Sequence, residues 1–203
     1  VAGQVYEKEK YNRLVTSILS NIVEFRTGEN SAHVIRVNLI TELLLRELMK
    51  KTDCYHLTMS RVRRISVASS LHDIGKIKIP EEILNKPDKL TAEEFEVIKT
   101  HSEIGASMIK SIAPSENEPL LKTAYEICRW HHERYDGSGY PDGLRGDDIP
   151  ISAQVAAIAD VYDVLTSERC YKKAYPHKKA IKMICDGECG CFNPLLLQCL
   201  LDI

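Results

Sequence analysis

The 203-residue sequence predicts an all-α fold. Apolar residues recur at intervals of three and four along six long segments, the spacing that places them on one face of a helix. Two shorter segments near the C-terminus, 176–187 and 193–203, each have a proline at or near the first turn, where helices accept it. Sustained apolar and polar alternation between hairpin turns, which marks strands, is nearly absent.

The predicted long helices follow one another with short breaks between them. In chain order they occupy residues 11–25, 33–50, 60–75, 92–112, 120–132 and 151–168. The breaks are rich in Gly, Pro, Asn, Asp and Ser, the residues that favour turns. The break at 136–150, "DGSGYPDGLRGDDIP", is too long and too rich in glycine for a simple connector, so we expect a functional loop there.

Size and composition predict a globular protein of one domain. With 44% hydrophobic residues, the chain is long enough to bury a substantial core. We expect a single domain over 1–203, in which 1–25 form an N-terminal helix and 26–194 carry the chemistry. The formal net charge of −2 predicts no general attraction to nucleic acid polymers or to anionic membranes.

Sequence features bearing on location favour the cytoplasm. No run of about 18 apolar residues predicts a membrane span, and residues 1–10 lack the pattern of a signal peptide. The seven cysteines form no obvious disulfide framework, which suits a reducing compartment. The cluster "CDGECGC" at 185–191 leaves two interpretations open, a thiolate metal site or free thiols near a helix end.

The segment "SSLHDIGKIKIP" places His72 and Asp73 side by side at the end of a predicted helix, with Gly75 to stop the helix and Lys76 just beyond. Such a pair can bind one cation from two sides, or the carboxylate can bridge two cations. The alternative is a hydrogen-bonded pair at a helix end.

Further candidate ligands lie elsewhere in the chain. Glu29 and His33 are four residues apart, which aligns them on one face if the helix is continuous. His101 ends a predicted helix, His131 and His132 end another, and Asp160 lies within an apolar helix where an unpaired carboxylate would be costly. The histidines thus gather at helix ends and beside acids.

Taken together, these motifs resemble a known family. "HDIGK", the separate His101, "HHERYDGSGYP", "AIADVYDVLTS" and "RCYKK" look like an HD-GYP domain, a branch of the HD metal-dependent phosphohydrolases. The likeness runs from about residue 26 to residue 194. It implies a helical bundle with a metal cluster between helices, and hydrolysis of the bacterial messenger cyclic di-GMP.

Carried over by position, the resemblance implies a set of metal ligands and two or three divalent ions. Iron and manganese fit imidazole and carboxylate ligands, and zinc is an alternative. The implied ligands are His72, Asp73, His101, His131, His132 and Asp160, with Glu29 and His33 for a third ion.

The implied chemistry assigns catalytic roles to Asp73 and Lys76. Asp73 would bridge two ions, a water shared by the ions would become a hydroxide that attacks phosphorus, and Lys76 would offset negative charge. The resemblance also makes Arg169 and Lys172 phosphate-binding residues, for which the alternative is a solvated basic helix end. Tyr140 would stack on or hydrogen-bond to the nucleotide, or would instead pack within its turn.

A few other positions complete the expectations. Asp163 either orients a ligand from behind or makes a structural hydrogen bond. We expect Trp130 in the core, and His56 and His177 on the surface. Asn193 stands where the family usually has Asp, and can still cap a helix that begins at Pro194.

Three functions compete at this point. The first is hydrolysis of cyclic di-GMP to linear pGpG, with further cleavage of pGpG to GMP left open. The second is the same chemistry on another cyclic dinucleotide or phosphoester, and the third is a cyclic di-GMP sensor that does not hydrolyse it. A homodimer and an upstream regulatory domain remain open as further partners.

Overall fold

A computed structural model describes residues 2–27, 32–112, 118–168 and 173–203. Within these ranges the chain is helical and has no β-strand, which confirms the predicted class. The α-helices are α1 (Ala2–Thr27), α2 (Ala32–Lys51), α3 (Met59–Ser69), α4 (Glu81–Leu84), α5 (Ala92–Lys99), α6 (His101–Ile112), α7 (Pro119–Trp130), α8 (Ile151–Thr166), α9 (His177–Cys185) and α10 (Pro194–Leu201). Two 3₁₀ helices span Ile74–Lys78 and Gly146–Asp148.

Helix α8 lies at the centre of the bundle, between α2, α7 and α9. Eleven of its 16 residues are buried, as expected for a helix that is apolar nearly all round. Four of its residues are alanines, whose small side chains let the neighbouring helices approach closely. The core residues around it include Leu44, Leu45 and Leu48 of α2, Val62 and Ile65 of α3, and Ile127 of α7.

Helix α3 ends earlier than the sequence predicts. We expected a helix over 60–75, whereas α3 stops at Ser69 and the next residues form a tight turn that leads into the first 3₁₀ helix. Ser69 Oγ donates to the Ser66 carbonyl at 2.7 Å, and His72 N donates to the Ser69 carbonyl at 3.3 Å. Such side-chain and short-range bonds compete with the helical pattern. His72 and Asp73 therefore lie in a turn.

The predicted helix over 92–112 is divided in two at Thr100. Its hydroxyl donates to the Val97 carbonyl at 2.6 Å, and His101 Nδ1 donates to the Ile98 carbonyl at 2.6 Å. These bonds use carbonyls that a continuous helix would need. The expectation that His101 ends a helix was wrong, because His101 is the first residue of α6.

Asn193 caps α10 and also joins it to α8. Its Oδ1 accepts from Leu195 N at 2.9 Å, and its Nδ2 donates to Gln154 Oε1 at 2.9 Å and to the Tyr55 hydroxyl at 3.0 Å. The side chain is buried. An aspartate at this position could cap the helix, but it could not donate to Gln154.

Asn193→Asp should therefore lower the free energy of unfolding by about 1–3 kcal/mol, the cost of leaving a buried acceptor unpaired beside a new buried charge. Urea unfolding followed by circular dichroism measures the change. An unchanged transition would contradict this account of the amide.

None of the helices described is both long and apolar enough to cross a bilayer.

Candidate metal centre

Seven side chains from separate parts of the chain converge in one cluster. His33 comes from α2, His72 and Asp73 from the turn after α3, His101 from the start of α6, and Asp160 from α8. The C-cap of α7 is His131, and His132 follows it. His33, His72, His101 and His131 are buried, and the other three are partly buried. The convergence itself was predicted from the motifs.

Gly75 allows this convergence by bringing the His72–Asp73 turn against α6. A Cβ added to Gly75 would lie 1.9 Å from the His101 carbonyl oxygen and 2.6 Å from the Gly105 amide nitrogen. The two backbones are thus in direct contact. The sequence suggested that Gly75 stops a helix, but α3 has already ended at Ser69. The glycine is needed for close approach instead.

The seven side chains divide into two groups, each able to hold an ion. Within each group, the candidate ligand atoms lie within 4.8 Å of one another. One group is His33, His72 and Asp160, and the other is Asp73, His101, His131 and His132. The sequence alone could not divide the ligands in this way.

Asp73 lies between the two groups. Its Oδ2 is 3.2 Å from His72 Nε2, and its Oδ1 is 3.3 Å from His101 Nε2 and 3.9 Å from His131 Nε2. Each carboxylate oxygen therefore faces a different group. This is the arrangement that a bridging carboxylate requires.

Hydrogen bonds orient the imidazoles with Nε2 toward the cluster. His72 Nδ1 lies 2.9 Å from the Ser69 carbonyl, and His131 Nδ1 lies 2.9 Å from the Ile127 carbonyl. His101 Nδ1 has the same kind of partner in the Ile98 carbonyl. A carbonyl only accepts, so each Nδ1 carries a proton, and whenever the ring is neutral its lone pair lies on Nε2 and faces the cluster.

The donor atoms left inside the cluster fit metal ions. His72 Nε2 and Asp73 Oδ1 are buried and make no hydrogen bond within the part of the chain described. The Nε2 atoms of His101 and His131 face each other at 3.4 Å. Such unsatisfied acceptors are rare in folded proteins. A cation among them would satisfy all of them at once.

The electrostatics of the histidines agree with this. Burial lowers the pKa of His101, His131 and His132, which keeps these rings neutral and able to bind a metal. Burial opposes a charge on His72 as well, but the neighbouring Asp73 outweighs it and raises the pKa of His72 to about 9. The site near His72 thus attracts positive charge, from a proton or from a metal ion.

Asp163 fixes the orientation of His33. Its Oδ2 accepts from His33 Nδ1 at 2.7 Å and from Arg36 at 2.9 Å. His33 Nε2 then faces Asp160 Oδ1 at 3.6 Å. Of the two roles that the sequence left open for Asp163, the geometry matches the one behind a ligand. Arg36, which holds Asp163 in turn, was not singled out from the sequence.

Asp163→Asn should weaken metal binding or activity by about 10–100-fold, the usual cost of losing a partner that orients a histidine ligand. An amide can present its NH₂ to His33 and Arg36, which would disturb both bonds. Metal titration followed by calorimetry measures the effect. Asp202→Asn, at the exposed end of α10, serves as the control. Equal affinities for the two variants would contradict the assigned role.

Lys76 and Tyr140 lie beside the cluster. Lys76 Nζ donates to Asp73 Oδ2 at 2.6 Å. The Tyr140 ring stacks on His132, with centroids 4.7 Å apart and planes inclined by 22°. Lys99 Nζ lies 5.3 Å from the Tyr140 ring centroid. Tyr140 therefore packs against a member of the cluster, which leaves its predicted contact with a nucleotide as a proposal.

The glycine-rich loop is held to the cluster by Glu133, which is not among the site residues predicted from the sequence. Its Oε1 accepts from the Asp142 amide at 2.8 Å and from the Gly143 amide at 3.0 Å. Gly139 packs on the same turn, since an added Cβ would lie 2.4 Å from Glu133 Cα. The available signal in the sequence was an acidic residue directly after His131 and His132.

The remaining residues singled out from the sequence lie outside the cluster or outside the described part of the chain. Glu29, Arg169 and Lys172 lie outside the residues that the structure describes. Trp130 is half-buried rather than in the core, because its indole N–H donates to Asp142 at 2.7 Å. His56 and His177 are exposed, as predicted. Cys185, Cys189 and Cys191 are thiols rather than members of disulfides, and they belong to neither candidate metal group.

Comparison with known proteins identifies the family. A family model described as "HD domain" matches residues 13–189. The chain belongs to the HD domain family. That family binds divalent metal ions, in agreement with the two groups of ligand atoms.

Curated HD-domain relatives share more than a third of their aligned residues with this chain. It is 40% identical over 184 residues to "3'3'-cGAMP-specific phosphodiesterase 2" of Vibrio cholerae, an alignment that covers 91% of this chain and 33% of that protein. It is 38% identical over 195 residues to the "cyclic di-GMP phosphodiesterase response regulator RpfG" of Xanthomonas campestris, covering 96% and 49%. It is 37% identical over 197 residues to a "cyclic di-GMP phosphodiesterase" of Thermotoga maritima, covering 97% and 50%.

Solved structures share the fold. An "HDG"Y"P protein" of Bdellovibrio bacteriovorus superposes with a TM-score of 0.62 at 20% identity, covering 97% of this chain and 63% of that one. A cyclic GMP-AMP specific phosphodiesterase of V. cholerae gives a TM-score of 0.64 at 18% identity, covering 94% and 48%. The family model and the curated relatives, together with this shared fold, bear out the HD-GYP resemblance. The chain spans a third to a half of the length of the curated relatives named above.

Proposed function

We propose that this HD domain is a metal-dependent phosphodiesterase that hydrolyses cyclic di-GMP to linear pGpG and, if it also cleaves the second phosphodiester, to GMP. The observation that carries the proposal is the position of Asp73, with one carboxylate oxygen toward His72 and the other toward His101 and His131. A carboxylate placed between two sets of imidazoles suits the two-metal chemistry of phosphodiester hydrolysis.

Two ions fit the two groups of ligand atoms, and Glu29 would add a ligand for a third. Imidazole together with carboxylate favours iron or manganese, with zinc as the alternative. When bound, the ions supply Lewis-acid activation of water and of the phosphoryl oxygens. His33, His72 and Asp160 would hold one ion, and His101, His131 and His132 the other, with Asp73 shared.

The remaining roles belong to side chains near the cluster. In the reaction, water oxygen forms a bond to phosphorus, the bond from phosphorus to the ribose oxygen breaks, and that oxygen takes up a proton. Lys76, held at 2.6 Å from Asp73, places an ammonium group beside the reacting phosphate and offsets its charge. Tyr140 would border the nucleotide, and Arg169 and Lys172 would bind its phosphates.

The names of the relatives support cyclic dinucleotides as the substrate class. Those quoted from Xanthomonas and Thermotoga are named for cyclic di-GMP. A second candidate substrate is 3'3'-cGAMP, because the Vibrio relative at 40% identity is named for it. Both molecules present the same type of phosphodiester, so the chemistry at the cluster would be shared. A sensor without hydrolysis would have little need for Lys76 beside an intact set of ligands.

The direct test supplies both substrates to the metal-loaded protein. Protein loaded anaerobically with iron or manganese is incubated with cyclic di-GMP or with 3'3'-cGAMP, and the products are followed by chromatography. We expect pGpG from the first reaction. His72→Ala should abolish turnover, whereas His177→Ala, an exposed histidine outside the cluster, should not. No turnover of either substrate by protein holding two ions per chain would refute the proposal.

A further inference from the structure

Helix α1 presents most of its large apolar side chains to solvent, and it turns Val23, Thr16 and Ser20 toward the domain. Between residues 11 and 25, every described side chain that is exposed is large and apolar. These are Tyr11, Leu14, Ile18, Leu19, Ile22 and Phe25, and Phe25 is 89% exposed. Thr16 and Ser20, by contrast, are buried. This is the reverse of the usual orientation of an amphipathic helix on a single domain.

Specific contacts hold α1 in this orientation. The Ser20 hydroxyl donates to the Ser70 carbonyl at 2.5 Å, and Arg26 donates to the Ile79 carbonyl at 3.2 Å. Rotating α1 to bury its apolar face would break both bonds. The outward apolar face is therefore built into the packing of the helix.

Helix α2, which packs against α1, exposes apolar side chains as well. Ile35, Leu39 and Leu43 follow one another at four-residue spacing, and each is more than half exposed. We call the nine side chains on the two helices the α1/α2 face. Its members are Tyr11, Leu14, Ile18, Leu19, Ile22, Phe25, Ile35, Leu39 and Leu43.

The α1/α2 face is as large as a protein interface. A large apolar side chain offers roughly 150–250 Å² when fully exposed, so nine that are about half exposed present on the order of 1,000 Å². A standard interface needs only about 800 Å² from each partner. Monomeric soluble proteins rarely leave an apolar patch of this size open.

We propose that the α1/α2 face binds a second copy of this chain in a two-fold symmetric dimer. The face is self-complementary, because none of its nine members is charged and an identical face buries only apolar side chains. Tyr11, Ile18 and Phe25 recur at intervals of seven, with Leu14 between the first two, which is the spacing that pairs helices in coiled coils. Helix α1 of one copy therefore packs along α1 of the other, with α2 on the flanks.

The test is the mass of the protein in solution. Sedimentation equilibrium on the metal-loaded chain at about 1–100 μM, the range in which an interface of this size is populated, should give twice the 23.0 kDa of one chain. The double variant Ile18→Glu with Ile22→Glu should sediment as a monomer, since four glutamates would meet in the dimer. Its circular dichroism spectrum should show the helical content of the wild-type chain, and it should unfold in a cooperative thermal transition.

A control at another exposed apolar position separates this face from general stickiness. Leu201→Glu, on α10 and 60% exposed, should leave the dimer intact. A wild-type monomer throughout that concentration range overturns the proposal, whether or not the chain binds lipid vesicles or another protein. A dimer that survives the double variant overturns it equally, because the interface would then lie elsewhere.

Discussion

Replacing Asp73 by asparagine should abolish two-metal binding and reduce turnover by at least about 10³-fold, more than the 10–100-fold cost of losing a residue that only orients a ligand. Asparagine keeps the shape of the side chain but loses the charge and one of the two acceptor oxygens. Both groups of ligand atoms would then lack the residue that connects them. Metal content per chain, measured by plasma mass spectrometry, and single-turnover kinetics check the two effects.

The same exchange at an exposed acid controls for charge alone. Asp186→Asn, at the end of α9 where the carboxylate pairs with Lys182, should leave metal content and turnover unchanged. If Asp73→Asn retained two ions and near-normal turnover, the carboxylate would not connect the groups and the proposed mechanism would be wrong.

The second large effect concerns the packing that forms the cluster. Gly75→Ala should lower the free energy of unfolding by more than about 3 kcal/mol, the upper part of the range for overpacking. The new methyl group would overlap the His101 carbonyl oxygen, 1.9 Å away, and the Gly105 amide nitrogen, 2.6 Å away. Both are backbone atoms, which cannot rotate aside. Separating the turn from α6 also separates Asp73 from His101, so metal affinity should fall with stability.

Gly146→Ala is the matched control for this substitution. Nothing lies within 4 Å of a Cβ added at Gly146, and only its φ of +59° opposes a side chain. That backbone strain costs about 1–2 kcal/mol, with no effect on metal binding. Equal destabilisation by the two variants in urea unfolding would contradict the close approach of Gly75 to α6.

The sequence predicted the members of the cluster better than their local structure. His72, Asp73 and His101 were assigned to helix ends, whereas they lie in a turn and at a helix start. The helix boundaries at Ser69 and Thr100 were missed because apolar periodicity continues through both residues, where side-chain hydrogen bonds interrupt the helices. The resemblance of the motifs was enough to predict the members of the cluster without the correct helix boundaries.

Contacts between distant segments could not be predicted from one sequence. Arg36 reaches Asp163 across 127 positions, and nothing in the local pattern of α2 marks it. The contact of Gly75 with Gly105 is likewise a property of two backbones. In α1 the period of the apolar residues was predicted, but not that the apolar face points away from the domain. Periodicity identifies the apolar face of a helix without identifying what covers it.

The central claim is that the histidine and aspartate cluster holds two ions joined by Asp73. Anomalous scattering from crystals of the metal-loaded protein tests this claim most directly. Data on either side of the iron or manganese absorption edge locate each ion. The account predicts one peak among His33, His72 and Asp160 and a second among His101, His131 and His132, with Asp73 between them. A single ion, or ions bound at Cys185–Cys191 with the histidine cluster empty, would contradict it.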